Sequence, residues 1–298
     1  MERKKRSGAW EMSHLGAAAL AALIFCAFAA AGEDAGGAIS SFEEPSIEMP
    51  FLLLQIQADL QGSLRDLDMA VAKASSGLSA SGLEGDGARD VLRRLLETNS
   101  NLVEAVTFDE DGKIIVAECE GCEGGEGADI SGQEHIAHVL RTKNPTFSGQ
   151  FLLVEGYQGT AIAYPVFSPE GEFIGGISAI LKPEELTNVL VAPQLRFDIS
   201  TRANITDYSF WSMHLDGLIA YDRDESQIGK NLFEDPLYHP FPSLLDLGER
   251  IVAERSGHGY YAFQVAEGDE RVVTKESYWT TVGLHGREWR LIVTKIVG

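Results

Sequence analysis

Apolar positions recur at steps of three or four residues along a stretch of the chain that begins near Pro50. The stripe that they form consists of Leu53, Ile56, Leu60, Leu64, Leu67, Val71 and Ala74. Such spacing places apolar side chains on one face of an α-helix. The sequence therefore predicts a long amphipathic helix, and we expect the Ser- and Gly-rich stretch at 75–87 to end it. A shorter helix is predicted next, so that 49–101 is helical, and its shared apolar face consists of Val91, Leu92, Leu95 and Leu96.

A similar order of elements then occurs twice along the chain. In each copy an Asp-Gly pair, at 111–112 and at 216–217, separates two β-rich runs. This arrangement is typical of a hairpin, because glycine tolerates the positive φ of a tight turn. Each copy continues with a helix and further strands, and in the first copy one of these is predicted over 146–154. The pattern predicts an α+β fold, in which a long N-terminal helix precedes two modules, each a roughly five-stranded antiparallel sheet with flanking helices.

The predicted limits of these parts follow from the same pattern. The first module covers 102–182 and the second module covers 205–298. Between them, Pro183 begins a connecting helix over 183–204, because proline suits the first turn of a helix.

The N-terminus has the features of an export signal. A basic cluster at 3–6 precedes an apolar run at 15–31, and the small residues at 29–31 match the pattern that a signal peptidase cleaves. We expect 1–31 to be a cleaved signal peptide or, alternatively, an uncleaved membrane anchor, with 32–48 as a linker. The remainder is then extracytoplasmic, either periplasmic, at the cell surface or secreted. Because no second apolar run approaches the length needed to cross a membrane, we expect no attached output domain.

Composition changes this picture by excluding several classes of protein. The net charge of -21 disfavours binding to nucleic acid or to anionic lipid, and is expected to provide solubility. The chain also lacks the catalytic and nucleotide-binding motifs of common enzymes, such as Gly-x-Ser-x-Gly and His-Glu-x-x-His. We therefore expect no enzymatic activity, no catalytic residue and no cofactor.

Beyond the signal the chain has two cysteines, Cys119 and Cys122. An exported location permits a disulfide between them. An alternative is a zinc site formed with His135 and His138, since thiolate and imidazole are ligands that zinc prefers. The two histidines are closer together than is usual in such sites. We therefore favour the disulfide or two free thiols, in which case both histidines would lie on a helix surface.

Short motifs in both copies resemble a known family. The second copy carries DGLIAY at 216–221 and QIGKNL at 227–232, and the first carries YPVF at 164–167 and FIGGI at 173–177. Together with the order of elements, they resemble the double Cache family of extracytoplasmic sensor domains, whose two modules are PAS-like. The resemblance implies that a small molecule binds in the first, membrane-distal module. The first copy has no Arg-x-Trp motif with neighbouring tyrosines, which departs from the amino-acid-binding pattern.

Alternate residues of a strand face the same side of a sheet, so a ligand pocket would be lined by residues at alternate positions. In the first module, the candidate ligand contacts are Phe147, Phe151, Tyr157 and Tyr164. In the second module, they are Trp211, His214, Tyr260, Lys275 and Trp279. The alternation from 273 to 279 places Lys275 on the same side as Trp279, although every candidate could instead be core or, for Lys275, solvent-facing.

The leading hypothesis is an extracytoplasmic sensor module that binds a small molecule and reports to a membrane signalling partner. One alternative is a structural or interaction module whose pocket is filled by its own side chains. The other is an exported metal-binding protein that uses the cysteine and histidine series.

Overall fold

The computed structural model of the protein describes residues 48–119, 125–153, 158–194, 208–265 and 271–297. All of them belong to one unit of the chain, 45–298. The predicted signal peptide and nearly all of the predicted linker lie outside the described residues. None of the helices that the structure describes is both long enough and apolar enough to cross a membrane.

The first helix, α1, runs from Glu48 to Ser81 and buries every residue of the predicted apolar stripe. The helix ends inside the Ser- and Gly-rich stretch at 75–87. The stripe is extended by Leu78, which is fully buried, and the helix stops where Gly82 takes a φ of 81°. The second helix, α2, spans Gly85–Thr98.

The first sheet is antiparallel and has six strands in the order β2-β1-β6-β5-β3, with β4 paired to β5. The elements of this module are β1 Leu102–Phe108, β2 Ile114–Cys119, α3 Glu134–Thr142, β3 Thr146–Phe147, β4 Phe151–Leu152, β5 Gln158–Phe167 and β6 Phe173–Leu181. The strand predicted over 146–154 is therefore divided. Between its two parts Ser148 N donates to Ala161 O at 2.8 Å, while Ala161 N donates to the Ser148 hydroxyl at 2.8 Å.

The second sheet has five strands in the order β8-β7-β11-β10-β9. It follows α4, Pro183–Gln194, and its elements are β7 Tyr208–His214, β8 Ile219–Asp222, α5 Pro242–Ala253, β9 Gly257–Gln264, β10 Val272–Leu284 and β11 Arg287–Ile296. A short 3-10 turn covers Glu225–Gln227. The two sheets thus repeat one strand order, and the predicted α+β class with a long helix and two antiparallel sheets is confirmed.

Helix α1 packs along one face of both sheets. Its first turns contribute Met49, Leu53 and Ile56 to a core shared with Phe210 and Val293 of the second sheet. Its later turns form a core with the first sheet. Each of these buried aliphatic side chains contributes about 1.5–3 kcal/mol by leaving water. Because α1 covers one face of each sheet, the opposite faces remain for α3, α5 and any ligand.

Candidate functional site

A cavity of about 510 Å³ lies on the face of the second sheet that points away from α1. Register explains which side chains reach it. Trp211 on β7 pairs with Asp222 on β8 and with Ile292 on β11, and it faces the side opposite Phe210, which packs on α1. The remaining wall comes from α5, through Leu244, and from the segment after β8. The volume falls within the range of about 300–1,000 Å³ that is usual for small-molecule pockets.

Aromatic rings form much of the cavity wall, through Trp211, Tyr238, Tyr261 and Phe263. The rings of Tyr238 and Phe263 are tilted against each other, with centroids 5.9 Å apart. The Tyr238 hydroxyl donates a hydrogen bond to Gln227 Oε1 at 2.6 Å. These contacts hold the rings in place and leave their apolar surfaces available to a guest molecule.

The end of β8 brings a carboxylate into this apolar surround. Burial raises the pKa of Asp222 to about 7, and the nearby charge of Asp224 acts in the same direction. A hydrogen bond from Asp224 N at 2.8 Å and the positive charge of Lys275 lower that pKa only in part. The Asp222 carboxyl group is therefore divided between its neutral and ionised forms near pH 7.

Lys275 supplies the opposite charge from β10. Burial lowers its pKa, while the charges of Asp222 and Asp224 act to raise it. The Lys275 Nζ lies 5.3 Å from the centroid of the Phe263 ring, a distance that allows a cation–π attraction. The structure thus places this ammonium group at the cavity rather than in open solvent.

Among the residues predicted in the second module, the structure brings Trp211 and Lys275 together at the cavity. Trp279 lies on the same face of the sheet but is buried beneath Gly257, and its Nε1 donates to Glu254 O at 3.1 Å. His214 packs against Trp289 at the other end of the sheet.

Tyr260 projects from the opposite face, since it is the neighbour of the cavity-lining Tyr261 in β9. Its hydroxyl donates to Glu276 Oε1 at 3.3 Å.

The residues predicted in the first module are dispersed. Phe147 is buried against Trp289 and borders a second cavity, of about 390 Å³, between the two modules. Phe151 stacks on His135 with ring centroids 5.4 Å apart. The Tyr164 hydroxyl donates to Asp68 Oδ1 at 2.7 Å, and Tyr157 lies outside the described residues. The role of each of these side chains as a ligand contact stays a prediction.

Helix α3 packs directly on the face of the first sheet where the resemblance implied a ligand. Ile136 and Val139 form a core there with Phe108. His135 is also buried, which contradicts the expected surface position, and its Nε2 lies 3.2 Å from Ser178 Oγ. Burial lowers the pKa of His135 to about 4. This histidine is therefore neutral at physiological pH.

Cys119 is part of a disulfide, but Cys122 lies outside the described residues, so the predicted pairing stays a prediction. Within the described ranges, no group of three or more His, Cys, Asp or Glu side chains is placed to hold a metal ion. The zinc alternative with His135 and His138 gains no support from this part of the chain.

Several cavity residues were missed by the sequence analysis, notably Asp222, Tyr238, Tyr261 and Phe263. The alternation that singled out Lys275 also applies to Tyr261 and Phe263, which are two apart on one strand, and could have found them. Asp222 gave no such signal, because it is one of 45 acidic residues. Only the pairing of its strand with Trp211 shows where its side chain points.

Comparison with known proteins gives this architecture a class. Residues 62–183 match the family described as HK/GC/chemotaxis protein-like, sensor domain, which is less than half of the chain. An extracellular ligand binding receptor from Desulfohalobium retbaense is similar over 84% of this chain, with 28% identity and a TM-score of 0.68. This chain spans only 40% of that protein. No curated protein matches the chain.

Two sensor domains share the fold at lower identity. The ligand binding domain of the amino acid chemoreceptor PctB from Pseudomonas aeruginosa, in complex with L-Arg, has a TM-score of 0.60 and 15% identity, and the match covers 83% of this chain and 93% of that one. The periplasmic sensory domain of a Campylobacter jejuni chemoreceptor has a TM-score of 0.57 and 13% identity, with 83% and 94% covered. The fold is that of double Cache-like extracytoplasmic sensor domains. The resemblance predicted from the sequence is thereby confirmed.

Proposed function

We propose that the protein is an extracytoplasmic sensor domain that captures a small molecule in the second-module cavity and reports its presence to a membrane signalling partner. The observation that carries this proposal is the cavity of about 510 Å³, which combines aromatic walls with charged groups of both signs. Small-molecule sites in proteins have this composition, a largely apolar lining with a few placed polar groups. On this account the protein binds its ligand without transforming it.

The solved structures that are similar to this chain come from the same class of protein as the one proposed. They include an extracellular ligand binding receptor and chemoreceptor domains. The proposed site lies in the second module, whereas the resemblance implied a site in the first module. The packing of the helices on the two sheets supports this choice. Helix α3 fills the face of the first sheet, whereas α5 leaves space over the second.

A cavity-filling substitution tests the proposal. Ser209 lines the cavity, and Ser209→Trp would place an indole in it, whereas Ser76→Trp places one on the exposed surface of α1 and serves as the matched control. The full chain is screened against a broad panel of metabolites by thermal shift. Because a ligand that binds only the native state raises the melting temperature, we expect at least one compound to stabilise the wild type and the control.

The same compound should lose its effect on Ser209→Trp. Two results would contradict the proposal. One is a panel in which no compound stabilises the wild type, together with no small molecule released from the purified protein. The other is a ligand that stabilises Ser209→Trp as strongly as the wild type, which would move the site elsewhere.

A further inference from the structure

Two opposite charges line the second-module cavity without pairing with each other. The carboxylate belongs to Asp222 at the end of β8, and the ammonium belongs to Lys275 on β10. No ion pair within 4.0 Å joins the two side chains in the part of the chain that the structure describes. Asp222 accepts a hydrogen bond from a backbone N–H, and Lys275 Nζ faces the ring of Phe263.

The two neighbouring charged residues of the cavity are engaged in the local structure. Arg223 Nη1 donates to Tyr208 O at 3.0 Å. Asp224 accepts hydrogen bonds from the backbone N and the hydroxyl of Ser226, and so caps the 3-10 turn. Asp222 and Lys275 are therefore the two charged groups whose geometry leaves them available to a guest.

Holding these two charges in a largely apolar cavity without a direct ion pair is unfavourable, because each has lost water and gains only a longer-range attraction to the other. A ligand that carries both signs would satisfy both groups at once. A purely anionic ligand would leave Asp222 unpaired, and a purely cationic one would leave Lys275 unpaired.

The order of strands determines the distance between the backbone positions of Asp222 and Lys275. In the order β8-β7-β11-β10, Asp222 and Lys275 stand on the first and fourth strands, which are separated by about 14 Å at the usual spacing of about 4.8 Å per strand. Their side chains shorten this distance, but they approach the cavity from different sides. A ligand that bridges them therefore needs its two charges at opposite ends rather than on one carbon atom.

Resting on the function proposed above, we propose that the cavity binds an ω-amino carboxylate, a short chain with an ammonium group at one end and a carboxylate at the other. The Asp222 carboxylate binds the ammonium group, and the Lys275 ammonium binds the carboxylate. The rings of Trp211 and Tyr261 pack along the methylene groups between the two ends.

Calorimetric titration of the full chain at pH 8 tests this chemistry with γ-aminobutyrate, δ-aminovalerate and ε-aminocaproate as probes. Butylamine, butyrate and α-aminobutyrate are the comparison compounds, since they lack one end or carry both charges on one carbon. We expect at least one ω-amino acid to bind, and every comparison compound to bind at least ten-fold more weakly than that one.

Variants identify the groups that recognise each end. Asp222→Asn and Lys275→Gln should each weaken binding at least ten-fold, with circular dichroism and melting temperature used to establish that both are folded. The matched controls are Asp246→Asn, on the exposed surface of α5, and Lys295→Gln, on the opposite face of the second sheet. Both controls should leave the affinity within two-fold of the wild type.

The outcomes separate this proposal from the sensor function itself. Failure of all three probes, equal binding of butylamine or butyrate, or an unaltered affinity in Lys275→Gln would overturn the ω-amino carboxylate assignment. If a metabolite of another class is blocked by Ser209→Trp but is unaffected by Asp222→Asn and Lys275→Gln, the cavity remains the sensor site and the ligand class proposed here is wrong. If Ser209→Trp binds the probes normally, the site itself is wrong.

Discussion

The indole ring of Trp289 packs against the phenyl ring of Phe147, with ring centroids 5.3 Å apart, and so joins the second sheet to the first. Trp289 stands near the start of β11, and Thr294 and Ile296 near the end of the same strand line the cavity. One strand therefore extends from the proposed ligand site to the junction between the modules. This continuity gives a direct structural path by which an occupied cavity could alter the junction.

Truncation at that junction should cost much stability. Trp289 is fully buried, so Trp289→Ala should lower the free energy of unfolding by about 3–5 kcal/mol through lost contacts and a residual cavity. Urea unfolding followed by circular dichroism measures this change. The control Tyr260→Ala removes a ring that is 48% exposed, and should cost less than about 1 kcal/mol. Equal losses in the two variants would contradict the proposed role of the junction.

A second connection between the modules passes through Asp68 of α1. Its Oδ1 accepts a hydrogen bond from the Tyr164 hydroxyl at 2.7 Å and lies 2.7 Å from His285 Nε2. Burial acts to raise the pKa of Asp68, but the bonds to His285 and Tyr164 outweigh it and leave that pKa below its usual value.

A depressed carboxyl pKa gives stability that is present above the unfolded pKa and is lost as pH falls through the folded pKa. Asp68→Asn should therefore lower the free energy of unfolding by about 1–2 kcal/mol at pH 7, with a smaller difference from wild type at pH 3. Urea unfolding at both pH values measures this, with the exposed Asp66→Asn as the control. A loss that is the same at both pH values would show that the carboxylate charge has no part in the connection.

Backbone geometry at Gly175 gives a test that involves no charge. This residue has a φ of 129°, and an added Cβ would lie 2.0 Å from Phe108 O. Gly175→Ala should therefore lower the free energy of unfolding by at least about 3 kcal/mol, because this φ is strained for alanine and the backbone must move to relieve both that strain and the clash. Gly171 also has a positive φ but faces open space, so Gly171→Ala should cost about 1 kcal/mol. Comparable unfolding midpoints for the two variants would refute the predicted close approach.

Titration of Asp222 should make stability depend on pH near neutrality. Its folded pKa of about 7 lies above the ordinary value of 3.8. The stability that this gives is complete below about pH 4, and is lost as pH rises to about 7. The charged and titratable groups that face it are Arg223, Asp224, Tyr261 and Lys275.

Asp222→Asn removes this titration. The variant should be more stable than wild type at pH 8, by about 2–4 kcal/mol, with little difference at pH 4. Urea unfolding at the two pH values measures the effect, and Asp246→Asn is the control. A gain of similar size at both pH values would mean that the Asp222 pKa is not raised.

Much of the fold could be predicted from the sequence, because each of its parts has a local pattern. The stripe along α1 and the Asp-Gly turns at Gly112 and Gly217, both of which have positive φ, depend on neighbouring residues only. Where α1 ends within the stretch at 75–87 could not be predicted, since Ser and Gly favour a break while the buried Leu78 favours the helix. Packing on the first sheet decided that competition.

The site was harder to predict, because it depends on strand pairing that is distant in sequence. Alternation along β10 placed Lys275 on the correct face, but it could not bring Asp222 from β8 to the same cavity. Nor could the sequence show that α3 would fill the face of the first sheet with His135. That outcome depends on the fit of side chains across elements.

The most direct test of the central claim is a crystal structure of the chain with a ligand identified by the thermal-shift screen. The account predicts ligand density over the second sheet, between the Asp222 carboxylate and the Lys275 ammonium, with Trp211 beside it. Density on the first module beside His135, with the second-module cavity unoccupied, would contradict it.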